Sequence, residues 1–241
     1  MLTDLSTMIW KEMKLLVGAG GRGRWSYVLV GFFGIVAPLL LGQQWVDSPF
    51  SAALSAIFPI LLVASWVADT FAGERERHTL ETLLATRLSD RALLFGKILT
   101  IAGYAWLLGV ATMVVGLVTL NLAHPGPALL LYPADIAVGS LIFSLLLVLL
   151  VASLGVLISL RASSVRQVQQ IMTVGVLLLV WVPILAVRDL PAAVRQSVAA
   201  SLSSGEVTLV VLVVGGALVV IDAVLLAVAM ARFQRARLSL S

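Results

Sequence analysis

The sequence predicts an all-α integral membrane protein with six transmembrane helices, and three observations carry that prediction. First, 61% of its 241 residues are hydrophobic and 12% are charged, against about 45–50% and about 25% in a soluble domain. Mean hydropathy is +1.09, so too little polar surface exists to cover a soluble fold. Second, uncharged windows of about 20 residues recur, the length that crosses a hydrocarbon core roughly 30 Å thick at 1.5 Å per residue. Third, six spans place fourteen of the sixteen Lys and Arg on one side of the membrane, leaving Arg188 and Arg195 on the other. Short cytoplasmic loops carry that excess, so both termini are expected in the cytoplasm.

The windows fall at about residues 25–44, 49–68, 98–120, 136–160, 169–187 and 207–231, and together residues 25–241 read as a single transmembrane domain. The last window holds one charge, Asp222. Residues 1–24 read as a cytoplasmic amphipathic helix followed by a joint. Over residues 3–17, Leu5, Met8, Ile9, Met13, Leu15 and Leu16 share one face, with Thr7, Trp10, Lys11 and Lys14 opposite; such a helix can lie along the membrane surface. Glu12 lands in the middle of the apolar face. Either its stem snorkels to water or it pairs with an Arg or Lys of a cytoplasmic loop. Residues 18–24 resemble a phosphate loop only in glycine content: Arg24-Trp25 stands where Lys-Ser/Thr is required, and no strand precedes. The stretch reads as a flexible joint. A cleavable signal is not expected, because charged residues precede the first apolar window. Between the last two spans, Leu190, Val194, Val198 and Leu202 recur every four residues, predicting a short amphipathic helix on the outer side. His124 sits beside prolines in the other long outer loop and reads as structural.

The cytoplasmic loop over residues 69–97 is too charged for lipid and too patterned for a linker. Thr79 is placed to cap a short helix whose ridge is Leu80, Leu83 and Leu84. Ser89 is placed to cap the next helix, with Asp90 in its first turn, running through Leu93, Leu94 and Lys97 into the third span. A short helix held under the membrane and joined rigidly to two spans is suited to receive force from a soluble partner.

This loop resembles the hallmark of the ABC-2 type permeases, the membrane subunits of one class of ABC exporters. Gly73, Glu74, Glu76, Arg77, Thr79, Leu80, Glu81, Leu83, Leu84, Thr86, Leu88 and Ser89 match the family's segment between spans two and three, and Lys97 matches the lysine that opens span three. Trp10, Lys11 and Glu12 in the first helix, the six spans and the outer amphipathic segment are similar as well. His78 stands where the family has glycine and Arg87 where it has proline. The resemblance implies that the loop forms a coupling helix docking on a separate ABC ATPase subunit, two copies per transporter. ATP and Mg²⁺ would then belong to that partner, with no cofactor on this chain. It further implies a second permease chain, the same or a sister, a bacterial cytoplasmic (inner) membrane location and no nucleic-acid partner.

Other classes fit less well. Both histidines lie in loops, the acidic residues Glu74 and Glu76 are not adjacent, and no His/Asp/Glu cluster has metal-site spacing, which argues against an intramembrane enzyme or a metal site. A stand-alone secondary transporter or channel needs several ionisable groups along its spans, and only Asp222 qualifies; a non-catalytic scaffold subunit stays open as a further alternative. Asp222 is either a helix-packing residue or a polar point on the pathway, with the hydroxyl of Tyr104 and the Ser and Thr groups of the fourth span as candidate partners.

Overall fold

The computed structural model describes residues 2–17, 22–42, 44–47, 49–86, 88–126, 129–189, 191 and 207–233. The expected outer helix around Leu190 to Leu202, the start of the glycine-rich joint, Arg87 and the chain after Phe233 lie outside them. The regular elements among the described residues are all helical, with no strand among them. In chain order the α-helices are α1 Leu2–Val17, α2 Arg22–Gly31, α3 Ala37–Leu41, α4 Gln44–Asp47, α5 Pro49–Trp66, α6 Ala72–Glu76, α7 Leu80–Leu84, α8 Asp90–Ala123, α9 Ala134–Arg161, α10 Val165–Asp189 and α11 Val207–Arg232. A π-helical turn, Phe32–Val36, joins α2 to α3, and a 3₁₀ turn, Val67–Asp69, follows α5.

Among the described residues, five segments are long and apolar enough to cross a membrane: Ile57–Glu76, Asp90–Ala123, Ala134–Arg161, Val165–Val182 and Leu212–Arg232. The first expected span is a shorter apolar helix, Trp25–Leu41. It ends early because Gly42 turns into the left-handed region at φ 57° and its N–H bonds back to the Pro38 carbonyl. The π turn has a local cause too. Pro38 has no N–H to give the carbonyl of Gly34, four residues back. Thr119 of α8 shares one with it instead, its Oγ1 proton lying between Val115 O at 2.8 Å and Gly34 O at 3.1 Å.

The core centres on α5, α8 and α9. α5 runs along α9, α8 packs on both, and α11 packs chiefly on α9. The α9 face is small where the 3₁₀ turn after α5 crosses: a Cβ on Gly155 would overlap the Val67 side chain. Phe58, Ile60, Val63, Val67, Phe71, Leu93, Leu94, Ile98, Val148 and Val156 are fully buried in this cluster. α8 extends from Ser89 to His124 without a break, about 51 Å at 1.5 Å per residue. That exceeds the hydrocarbon core, so several turns project beyond it. α1 packs along that projecting end, Met8 lying over Gly96, where an added Cβ would come within 2.6 Å of Met8 Cγ. The buried seam of α1 is Met8, Glu12 and Leu16, at four-residue spacing. Leu15, expected on the same face, is 62% exposed, because it lies one residue, 100°, off that seam. At the far end of the bundle Trp45, Val46 and Leu120 form a second small apolar cluster. There Trp45 Nε1 donates to the Tyr132 hydroxyl at 2.8 Å, and Asn121 clamps Leu130 through both its N–H and its carbonyl.

The close approach of this turn to α9 makes a direct test. Gly155→Val should lower the detergent unfolding temperature by the equivalent of about 1–3 kcal/mol. Gly103→Ala, in open space on α8, should leave it equal or slightly raised. Equal behaviour of the two variants would show that the packing is wrong.

Candidate functional site

The segment after α5 does not leave the bundle as a free loop. At the C-terminal end of α5 the chain turns through Val67–Asp69 and enters α6 against the end of α9. The backbone N–H groups of Phe71 and Ala72, at the start of α6, both donate to Ser159 Oγ of α9, at 3.1 and 3.0 Å. These are the orphan donors of a helix start, met in the core by a fully buried serine.

Beneath α6 lies a buried charge cluster. Lys97 of α8 is 1% exposed. Its ammonium donates to Glu74 Oε1 at 2.9 Å, to the Thr70 carbonyl at 2.8 Å and to Glu12 Oε1 at 3.2 Å. The three donors of an ammonium therefore each have an acceptor. The Phe71 ring lies 5.1 Å from Nζ and adds a cation–π contact. Half-exposed Lys11 stands at the rim, 3.4 Å from Glu74 and 3.6 Å from Glu12, balancing the second carboxylate. Glu12 thus resolves to the paired reading rather than the snorkelling one. The cluster draws on three separate segments: α1, α6 and α8. It closes one end of a cavity of about 650 Å³ whose other walls include Leu16, Trp66, Leu83 and Ile101.

The remaining matched positions divide into inward and outward groups. Leu80 and Leu83 are buried in the main core, so the ridge of α7 holds the helix in place. The side chain of Leu84 lies outside the described set. Glu81, Thr79 and Thr86 are exposed, Glu81 away from the ridge and the two threonines at the rim of the cavity beside Leu83. Thr79 stands at the N-cap of α7, but its hydroxyl does not cap the helix; it donates to the Glu74 carbonyl at 3.3 Å. The expected cap is corrected accordingly: the backbone there, φ −99° and ψ −9°, is not the extended conformation a capping side chain needs. Ser89 does cap α8, accepting from Ala92 N at 3.3 Å. Leu88 is half-buried beside the cavity, and Thr86 Oγ1 closes the turn onto the Leu83 carbonyl at 2.7 Å. Gly73 lies where a Cβ would meet Asp69 Oδ1 at 2.6 Å, and the space it leaves admits the Arg77–Asp69 ion pair at 3.8 Å. His78 adopts φ 55°, the left-handed region that glycine enters freely and other residues at a cost of about 1–2 kcal/mol. The turn keeps a glycine-like backbone with a histidine in it.

Trp10 is exposed and carries Lys14 over its ring at 5.0 Å. Asp222 is buried on α11, and neither carboxylate oxygen has a hydrogen-bond partner among the described residues. The expected partners do not reach it. Tyr104 stacks on Trp66 with ring centroids 5.4 Å apart. Of the α9 serines, Ser140 and Ser144 bond to their own helix and Ser159 to α6, while Ser153 Oγ is likewise buried without a partner. Sequence reading missed Ser159 and Arg75 and did not give Lys97 its central place. A signal for Lys97 existed: one buried cation in an apolar helix start and one carboxylate on an apolar face are complementary misfits.

The sequence matches the family described as "ABC-2 family transporter protein" over residues 43–203. It is 27% identical over 161 residues to a curated protein named "ABC transporter permease protein NatB" of Bacillus subtilis (strain 168), covering 61% of this chain and 42% of that protein. The chain therefore spans less than half the length of that relative. No solved structure matches.

Removing one member of the buried cluster leaves an uncompensated charge, which costs about 3–5 kcal/mol. Lys97→Met should therefore lower the detergent unfolding temperature sharply. Adding Glu12→Gln and Glu74→Gln to it should recover most of the loss. The loss should persist in high salt, since buried pairs are poorly screened. A Lys97→Met protein as stable as wild type would refute the cluster.

Proposed function

The chain belongs to the ABC-2 family of transporter proteins, and from that premise we propose that it is the membrane permease subunit of an ABC exporter. In this reading residues 73–89 form the coupling element for a separate ATPase subunit, which holds ATP and Mg²⁺. Two ATPase copies serve two permease chains, identical or sister. The bilayer is the cytoplasmic membrane, crossed six times with both termini inside.

The observation that carries the reading is the two-sided build of α6–α7. One side is fixed to the transmembrane bundle by the Lys97 cluster and by buried Leu80 and Leu83. The other presents Glu81 to solvent, away from the cavity that Arg77 and Thr86 line with the cluster. An element that is rigid toward the spans and polar toward water transmits displacement from a soluble partner. Lys97 sits on the uninterrupted helix that becomes the third span, so a push on α7 reaches the membrane without a flexible joint. Glu74 belongs to the fixed side and acts through positioning, whereas Glu81 is free to meet the partner. The motor is external in this reading, because the glycine-rich joint lacks a Walker A lysine. Asp222 and Tyr104 are the candidate polar points of the pathway. Burying an unpartnered carboxyl in a span is costly, and in a transporter such a group is retained for what passes it.

The test is co-expression with the candidate ATPase and reconstitution of the complex in proteoliposomes. The permease should copurify with the ATPase and have no ATPase activity alone. Glu81→Lys should fold normally yet lower transport per ATP hydrolysed at least tenfold. Transport by the chain without ATPase or ATP would instead establish a stand-alone carrier.

A further inference from the structure

The coupling reading leads from α6–α7 to the third span through Lys97. A second set of contacts leads elsewhere. Arg75 donates through Nη1 to the Ala162 carbonyl and through Nη2 to the Leu160 carbonyl, the latter at 3.1 Å. Those carbonyls lie at the C-terminal end of α9, where the last groups of a helix lack intrahelical partners. The next residue, Glu76, accepts from the backbone N–H of Val165 at 2.8 Å, the first residue of α10. A guanidinium thus sits at a helix C-terminus and a carboxylate at a helix N-terminus, each at the end whose partial charge it complements. Ser159, one turn earlier on α9, holds the start of α6. α6 is therefore tied at its start to the last turns of α9 and at its end to the turn between α9 and α10, which the sequence match to the coupling motif did not single out.

We infer that Arg75 and Glu76 are positioning residues that couple α6–α7 to the α9–α10 hairpin, so that force entering the segment moves spans four and five together with span three. This rests on the coupling reading above for its function, while the tie itself is a property of the chain alone. The two adjacent side chains divide the work. Arg75 bridges two carbonyls with its planar fork, which lysine cannot reproduce. Glu76 needs only an acceptor oxygen, which glutamine also has. Both residues are partly or fully exposed, so their replacement leaves the core intact.

Spin labels test both levels. In the purified chain alone, a label at Ser163 in the α9–α10 turn should become more mobile in the Arg75→Ala/Glu76→Ala variant. Glu76→Gln should stay close to wild type, and Arg75→Lys should fall between. Unchanged mobility in the double variant overturns the tie whatever the partner is. In the complex with the ATPase, labels at Ala85, at the end of α7, and Gln170 should keep one distance between the nucleotide-free and ATP-trapped states. In the double variant that distance should shift by about 2 Å or more, with less transport per ATP. Loss of the tie with no change in that distance or in transport per ATP overturns the coupling role. An ATPase that never associates, with the mobility result intact, refutes the coupling reading and leaves the tie standing.

Discussion

A single buried ammonium organises one end of this molecule. Lys97 is enclosed by Glu74, Glu12, the Thr70 carbonyl and the Phe71 ring, and no member of that set is cheap to remove. A charge transferred from water to a protein interior costs several kcal/mol unless geometry and partners offset it. The partners here come from three places in the chain, so α1, α6 and α8 must converge for any of them to be satisfied. Other features follow from that convergence. Gly96 is small so that Met8 can bring α1 onto α8, and Gly73 is small so that Asp69 and Arg77 can meet beside the cluster.

The consequence is mechanical. The helix that carries Lys97 continues without interruption to Ala123, so whatever fixes its first turns also fixes its far end. α7 sits on this frame through Leu80 and Leu83 and exposes its other face. The sharp turn before it is made at His78, in a conformation that favours glycine. Rigidity toward the bilayer and a polar face toward water are the two properties a transmitting element requires.

The all-α membrane class was legible because hydropathy and length settle it with little regard to packing, as the windows at residues 98–120 and 136–160 illustrate. The first span was less legible. Gly42 ends it early by a bond back to Pro38, and the Gly34 carbonyl finds Thr119 of α8, a partner no local pattern reveals. The ridge Leu80–Leu83 and the cap Ser89 were readable from spacing, while the Thr79 cap failed because the backbone there is helical rather than extended. Glu12 illustrates what sequence can half reveal: its misplacement on an apolar face was visible, its partner 85 residues away was not. Ser159 and Arg75 gave no signal at all, since their partners are backbone groups brought near only by the fold. Asp222 stayed open at both levels, and the hydroxyls expected to meet it bond elsewhere or to nothing.

The central claim is that the exposed face of α7 meets an ATPase. Site-specific photo-cross-linking in cells measures it most directly, with a benzophenone side chain at Glu81 and, as reference, at Leu131 near the opposite end of the bundle. The account predicts an adduct with an ATP-binding subunit from Glu81 and none from Leu131. Adducts from neither position, or equally from both, would contradict it.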